Sequence, residues 1–231
     1  MRPLIGISPD GDAPADAPTE AEYRVRMNYA DAIRAAGGCP VILPWHLDGV
    51  DEMVDRCDGI LVSGGTPGIL SKDGRTVFER ALIQAALDRC KPVLGICNGM
   101  QLLGQTLGAQ FVESIAAAIP DAQDHIPLSV PTETAHGVTL TPGSQLQRLA
   151  GTDEARVNSL HRQAIAGTGR FTVAALASDG VIEAIEADGH PFALGTQWHP
   201  EYRLTALDAA ILAAFVKACC PSCPGKNRRC R

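Results

Sequence analysis

The sequence predicts an α/β fold, a mostly parallel central sheet with helices on both faces and an antiparallel extension in the second half. Three observations lead there. Short, nearly continuous apolar runs alternate with helical patterns as far as Leu107. Beyond that point, β-like segments are separated by turns such as Ser178-Asp179-Gly180 and Asp188-Gly189. Between the two halves, a strand pattern runs into a glycine-flanked cysteine and at once into a helix.

In chain order, residues 4–7 form a first apolar strand, and 22–36 read as a helix stopped by Gly37-Gly38. Residues 40–44 give a second strand, 50–57 a short helix, and 60–62 a third strand running into Ser63-Gly64-Gly65. Residues 76–89 are helical, with an apolar stripe at Phe78, Leu82, Ile83 and Ala86. A fourth strand at 92–96 leads to a helix at 99–107. The β-like segments of the second half are 138–141, 155–158, 172–177, 181–185 and 193–197, and the last helix is 204–217. Neither a linker nor a repeat divides the chain. One domain is expected over residues 1–218, with 219–231 as a frayed tail rich in cysteine and basic residues.

The 231 residues are 45% hydrophobic and 20% charged, the composition of an ordinary globular protein. A net charge of -6 argues against nucleic acid as a partner. Neither a secretory leader nor an apolar run of about 18 residues is evident, so no membrane role and a cytoplasmic location are expected. Cys39, Cys57, Cys90 and Cys97 are scattered singly, as suits reduced thiols. Cys219, Cys220, Cys223 and Cys230 crowd the C-terminus, where no histidine completes a ligand set. No metal and no cofactor is expected.

The segment Gly95-Ile96-Cys97-Asn98-Gly99 is the cysteine form of a nucleophile elbow. Glycines let strand and helix approach closely, and the helix N-terminus favours thiolate over thiol. A lone cysteine at such a junction is usually an inert core residue; the paired glycines tip the reading toward a nucleophile. In Trp198-His199-Pro200-Glu201, His199 ends a strand-like run and Glu201 can hold its imidazole in one tautomer. An oxyanion formed at Cys97 needs donors already in place, for which the N–H groups of Asn98 and Gly65 are the candidates.

With these residues in view, the chain resembles the class I glutamine-amidotransferase superfamily, of flavodoxin-like architecture, and within it the γ-glutamyl-γ-aminobutyrate hydrolases. The resemblance rests on residues 63–65, 95–101, 157–163 and 190–201. It implies a catalytic triad of Cys97, His199 and Glu201, acting through an acyl-thioester on a small γ-glutamyl amide. It also implies that Gln101, Asn158, Ser159 and His161 lie near the γ-glutamyl head group. Structurally, His161 reads equally well as a turn histidine. A homo-oligomer such as a dimer is compatible with this picture. Two positions depart from the hydrolase branch: Asn98 stands where Arg is usual, and Thr76 where Asp is usual. Both remove charge, leaving open γ-aminobutyrate, a polyamine, an aromatic amine or another amino acid as the leaving amine. The competing readings are a glutaminase subunit serving a synthase partner and a non-catalytic binding protein on the same fold.

Overall fold

The computed structural model describes residues 1–12, 21–65, 74–127 and 130–220. The first half contains β1 (Leu4–Ser8), β2 (Asp10–Asp12), β3 (Glu22–Arg24), α1 (Met27–Ala35), β4 (Cys39–Ile42), α2 (Val50–Arg56), β5 (Gly59–Val62), α3 (Gly74–Asp88), β6 (Val93–Ile96) and α4 (Asn98–Thr106). The second half contains β7 (Gln110–Val112), α5 (Ile115–Ala118), β8 (His136–Leu140), α6 (Gln145–Ala150), β9 (Glu154–Val157), β10 (Ala164–Ala166), β11 (Phe171–Ala177), β12 (Ile182–Ala187), β13 (Ala193–Thr196) and α7 (Ala206–Ala218).

Nine strands form one sheet in the order β4-β1-β5-β6-β13-β12-β11-β8-β9. The five from β4 to β13 run parallel, and β12, β11, β8 and β9 follow antiparallel. The expected α/β class is therefore observed, with the antiparallel part extending the same sheet. Alternation explains why the parallel strands read as unbroken apolar runs. Ile60, Val62 and Val93 pack on one face with Phe78, Leu82 and Met100. Leu61, Leu94 and Ile96 pack on the other with Ile7, Ile33 and Phe215. In β8, by contrast, buried His136, Val138 and Leu140 alternate with exposed neighbours.

Several expectations need correction. Residues 22–24 are not helical; β3 pairs antiparallel with β2, and α1 starts at Met27. Tertiary contacts override the helical look of this segment: the Tyr23 hydroxyl accepts from the Trp45 N–H at 3.0 Å, and the two rings meet edge to face. Helix α7 starts at Ala206, where Thr205 and Asp208 complete a capping box. Cys219 is fully buried in the core, so the packed chain runs past residue 218. Cys223, Cys230 and the basic run of the expected tail lie outside the described residues. Cys39, Cys57 and Cys97 are thiols as expected, but Cys90 is disulfide-bonded. It lies just past α3 and is half-buried, with φ 50.

Candidate active site

Cys97 occupies the one-residue step from β6 to α4 with φ 52 and ψ −105, a strained conformation for a residue with a side chain. The glycines on either side are sterically required. A Cβ on Gly95 would lie 2.6 Å from the Gly99 carbonyl oxygen, and one on Gly99 would lie 2.8 Å from the Val62 carbonyl carbon. The Cys97 N–H donates to the Thr196 carbonyl at 2.8 Å, which ties the elbow to β13. Because β6 and β13 pair in parallel, with Ile96 opposite Thr196, both strands deliver their next residues to the same sheet edge.

That edge carries the second group. His199 Nδ1 lies 2.8 Å from Glu201 Oε1, with Glu201 in the short 3-10 turn Pro200–Tyr202. A Cβ on Gly64 would lie 3.0 Å from His199 Cε1 and 3.4 Å from Cys97 Cβ, so ring and thiol flank the same glycine. Burial opposes charge on His199, but Glu201 and the Cys97 sulfur outweigh it and hold the imidazole well above its ordinary value. The Gln197 amide donates to the Cys97 sulfur at 3.6 Å. A cavity of about 740 Å³ opens here, lined by Cys97, His199, Glu201, Gly64, Gly65 and Leu160 together with Tyr23, Arg24 and Arg26.

A buried ionic network underlies the loop at 63–65. Arg75 pairs with Asp10 at 2.7 Å and Glu79 at 3.0 Å, and donates to the Ser63 and Gly64 carbonyls. Glu79 also accepts from Ser8 Oγ at 2.6 Å and from the Asn98 amide at 3.2 Å. Burial pushes the Glu79 carboxyl up to about 7, against the opposing pull of Arg75. The Gly64 N–H donates to the Tyr29 hydroxyl at 3.0 Å, which leaves Gly65 as the next N–H along the loop. Tyr29 sits beside Glu201; burial first, then that carboxylate, raise its phenol well above the ordinary value, so it stays neutral.

Cys97, His199, Glu201 and Gly65 thus share one cavity. Asn98 turns its side chain toward Glu79, so only its backbone belongs to the elbow. The expected head-group residues are placed differently: none of Gln101, Asn158, Ser159 and His161 lines the cavity. The Gln101 amide donates to the Gln163 carbonyl and to Gln197 Oε1, both at 3.1 Å, and so braces the residue that touches the sulfur. Asn158 clamps the backbone of His199, accepting its N–H at 2.8 Å and donating to its carbonyl at 3.0 Å. Ser159 Oγ donates to the His125 carbonyl at 2.8 Å. His161 faces Glu183. Of the contributors that sequence reasoning passed over, Gln197 was within reach, since it stands two residues before His199, just past the end of β13. Tyr29, Arg75 and Glu79 arrive through tertiary packing and left no local signal.

The Peptidase C26 family model matches residues 3–201. A protein of Rickettsia prowazekii named as glutamine amidotransferase-like is 31% identical over 94% of this chain and 98% of its own length. The γ-glutamyl-γ-aminobutyrate hydrolase PuuD of Escherichia coli is 30% identical over 86% of this chain and 87% of its own. The crystal structure of a glutamine amido transferase from Methylobacillus flagellatus superposes with a TM-score of 0.65, covering 94% and 95% of the two chains at 15% identity. That last likeness is one of fold.

Proposed function

Because this chain belongs to the Peptidase C26 family of glutamine amidotransferase-like hydrolases, we propose that it cleaves γ-glutamyl amides, with Cys97 as nucleophile, His199 as proton carrier and Glu201 as the orienting carboxylate. The observation that carries this reading is the meeting of a strained cysteine and a carboxylate-bound imidazole at one cavity wall. The Cys97 thiolate attacks the γ-carbonyl carbon. The oxyanion that forms takes hydrogen bonds from the backbone N–H groups of Asn98 and Gly65. As the C–N bond breaks, His199 gives its proton to the departing amine. A water molecule, losing its proton to His199, then cleaves the thioester and frees glutamate. Glu201 keeps Nδ1 as the bonded nitrogen, which leaves Nε2 for both transfers.

Arg26 on the cavity lining supplies the positive charge that the γ-glutamyl carboxylate seeks, beside the Arg24–Glu22 ion pair, and the carboxylate of a leaving amine such as γ-aminobutyrate would gain from it too. The test is glutamate release from a panel of γ-glutamyl amines and from free glutamine, by the parent and by Cys97→Ala. Release from the amines that disappears in the variant is expected. Substantial activity in Cys97→Ala would overturn the assignment, and turnover of glutamine alone would point to a glutaminase subunit instead.

A further inference from the structure

Away from the cavity lining, four buried side chains from separate segments face one another. His125 precedes β8, His136 opens it, His161 follows β9, and Glu183 lies in β12. Their exposures are 4%, 7%, 5% and 0%. His125 Nδ1 stands 3.3 Å from Glu183 Oε1, and His136 Nε2 and His161 Nε2 each stand 3.4 Å from the same oxygen. One donor atom from each of the four lies within 4.8 Å of all the others.

The outer ring nitrogens decide the tautomers. His125 Nε2 lies 3.0 Å from Asp179 Oδ2, His136 Nδ1 3.2 Å from the Gly137 carbonyl, and His161 Nδ1 3.0 Å from the Gln163 carbonyl. These partners accept, so each outer nitrogen carries the hydrogen, and in a neutral ring the inner nitrogen is a lone pair. Three lone pairs then converge on a carboxylate. None of the three inner nitrogens, and neither Glu183 oxygen, has a hydrogen-bond partner among the described residues. Such a gathering of acceptors is costly unless positive charge sits among them. Supplying it as protons would crowd imidazolium rings whose centroids are 4.5 and 4.9 Å apart. A single cation takes one acceptor atom from each of the four residues at once.

We propose that His125, His136, His161 and Glu183 bind one divalent transition-metal ion, the three-nitrogen, one-oxygen set being suited to tetrahedral zinc. The Asp179–His125 contact is the outer carboxylate that orients a metal-bound imidazole. Four protein ligands close the coordination shell, which makes the ion structural. It stabilises the loop at 158–163. The His125 carbonyl accepts from Ser159 Oγ and from the His161 N–H, and the Leu160 carbonyl of that loop lies 4.0 Å from the Cys97 sulfur. The assignment stands independently of the reaction proposed above.

The test uses the full-length protein purified without chelator. Elemental analysis should find about one zinc per chain. After stripping, zinc should restore a raised melting temperature, and cobalt(II) should give the intense visible bands of a tetrahedral complex without a thiolate charge-transfer band. His136→Gln and Glu183→Gln should each weaken zinc binding at least about 100-fold, whereas Cys97→Ser should leave it unchanged. The proposal is overturned if the stripped parent, folded by circular dichroism, binds neither zinc nor cobalt stoichiometrically. It is equally overturned if bound cobalt shows a thiolate band and persists in His136→Gln.

Discussion

Gly95 and Gly195 face each other across the β6–β13 ladder, yet alanine at the two positions should behave very differently. At Gly95 the new Cβ would meet backbone alone: the Gly99 oxygen at 2.6 Å, the Gly99 carbon at 2.7 Å and the Met100 nitrogen at 2.9 Å. Ordinary contact begins at 3.4 Å, so the first turn of α4 must retreat from β6 by 0.8 Å (3.4 less 2.6). That turn carries the Asn98 N–H and is joined to Cys97. Overpacking against rigid backbone costs about 1–3 kcal/mol, and a shift approaching ~1 Å at reacting groups costs about 100-fold in rate. At Gly195 the nearest atoms are Met100 Cγ at 2.7 Å, which rotation about χ1 can move, and Met100 Cβ at 3.0 Å, which asks the helix to give by only 0.4 Å (3.4 less 3.0). Urea denaturation should therefore show Gly95→Ala about 1–3 kcal/mol less stable, with kcat/KM for a chromogenic γ-glutamyl amide lowered about 100-fold. Gly195→Ala should keep activity within a few-fold of the parent. Equal activity losses in the two variants, or a Gly95→Ala enzyme indistinguishable from the parent, would refute the steric reasoning.

Asn158→Ala removes both bonds to the His199 backbone and should cost about 2–4 kcal/mol, lowering kcat with KM little changed in steady-state assays. Glu201→Gln should reduce kcat by about 100- to 10,000-fold. Its stability cost should follow a definite pH course in urea titrations. The folded pKa of His199 is raised, so the ion pair contributes fully below about 6.5, and the gap between parent and variant should close as pH rises through that higher folded value. Trp198→Phe deprives Asp208 Oδ1 of its indole donor at 3.1 Å and should cost about 1–3 kcal/mol in thermal unfolding, with catalysis much less affected. Gly74→Ala places a methyl on α3 with nothing within 4 Å among the described residues, at a φ that side chains accept, and should raise the melting temperature slightly.

The inner parallel strands β5, β6 and β13 were legible because they are buried throughout, whereas β4 at the sheet edge is largely exposed, and the elbow was legible because its glycines are forced by backbone contact. The hairpin of β2 and β3 was not, since exposed Glu22-Tyr23-Arg24 carries no burial pattern and owes its pairing to Trp45 and β2. Strands β7 and β10, three residues each, find their partners more than 50 residues apart, and no local propensity announces that. At the site, sequence proximity misled over His161. Leu160 meets the cavity, and the next side chain turns to the opposite side, toward Glu183. The four convergent groups there come from loops and strands far apart in the chain, with no ligand spacing to betray them. The Asn98 and Thr76 departures suggested a loss of pocket charge, but the Asn98 amide is spent on buried Glu79.

The ladder between β6 and β13 joins segments some 100 residues apart, as the Gln197 to Cys97 contact measures. Contacts of such span are among the last to close as a chain folds, because each must first overcome the entropy of the intervening loop. Until that closure the sulfur lacks both its imidazole and its amide donor. On the proposed mechanism, a nascent or half-folded chain therefore holds no assembled site, and completion of the fold itself supplies it.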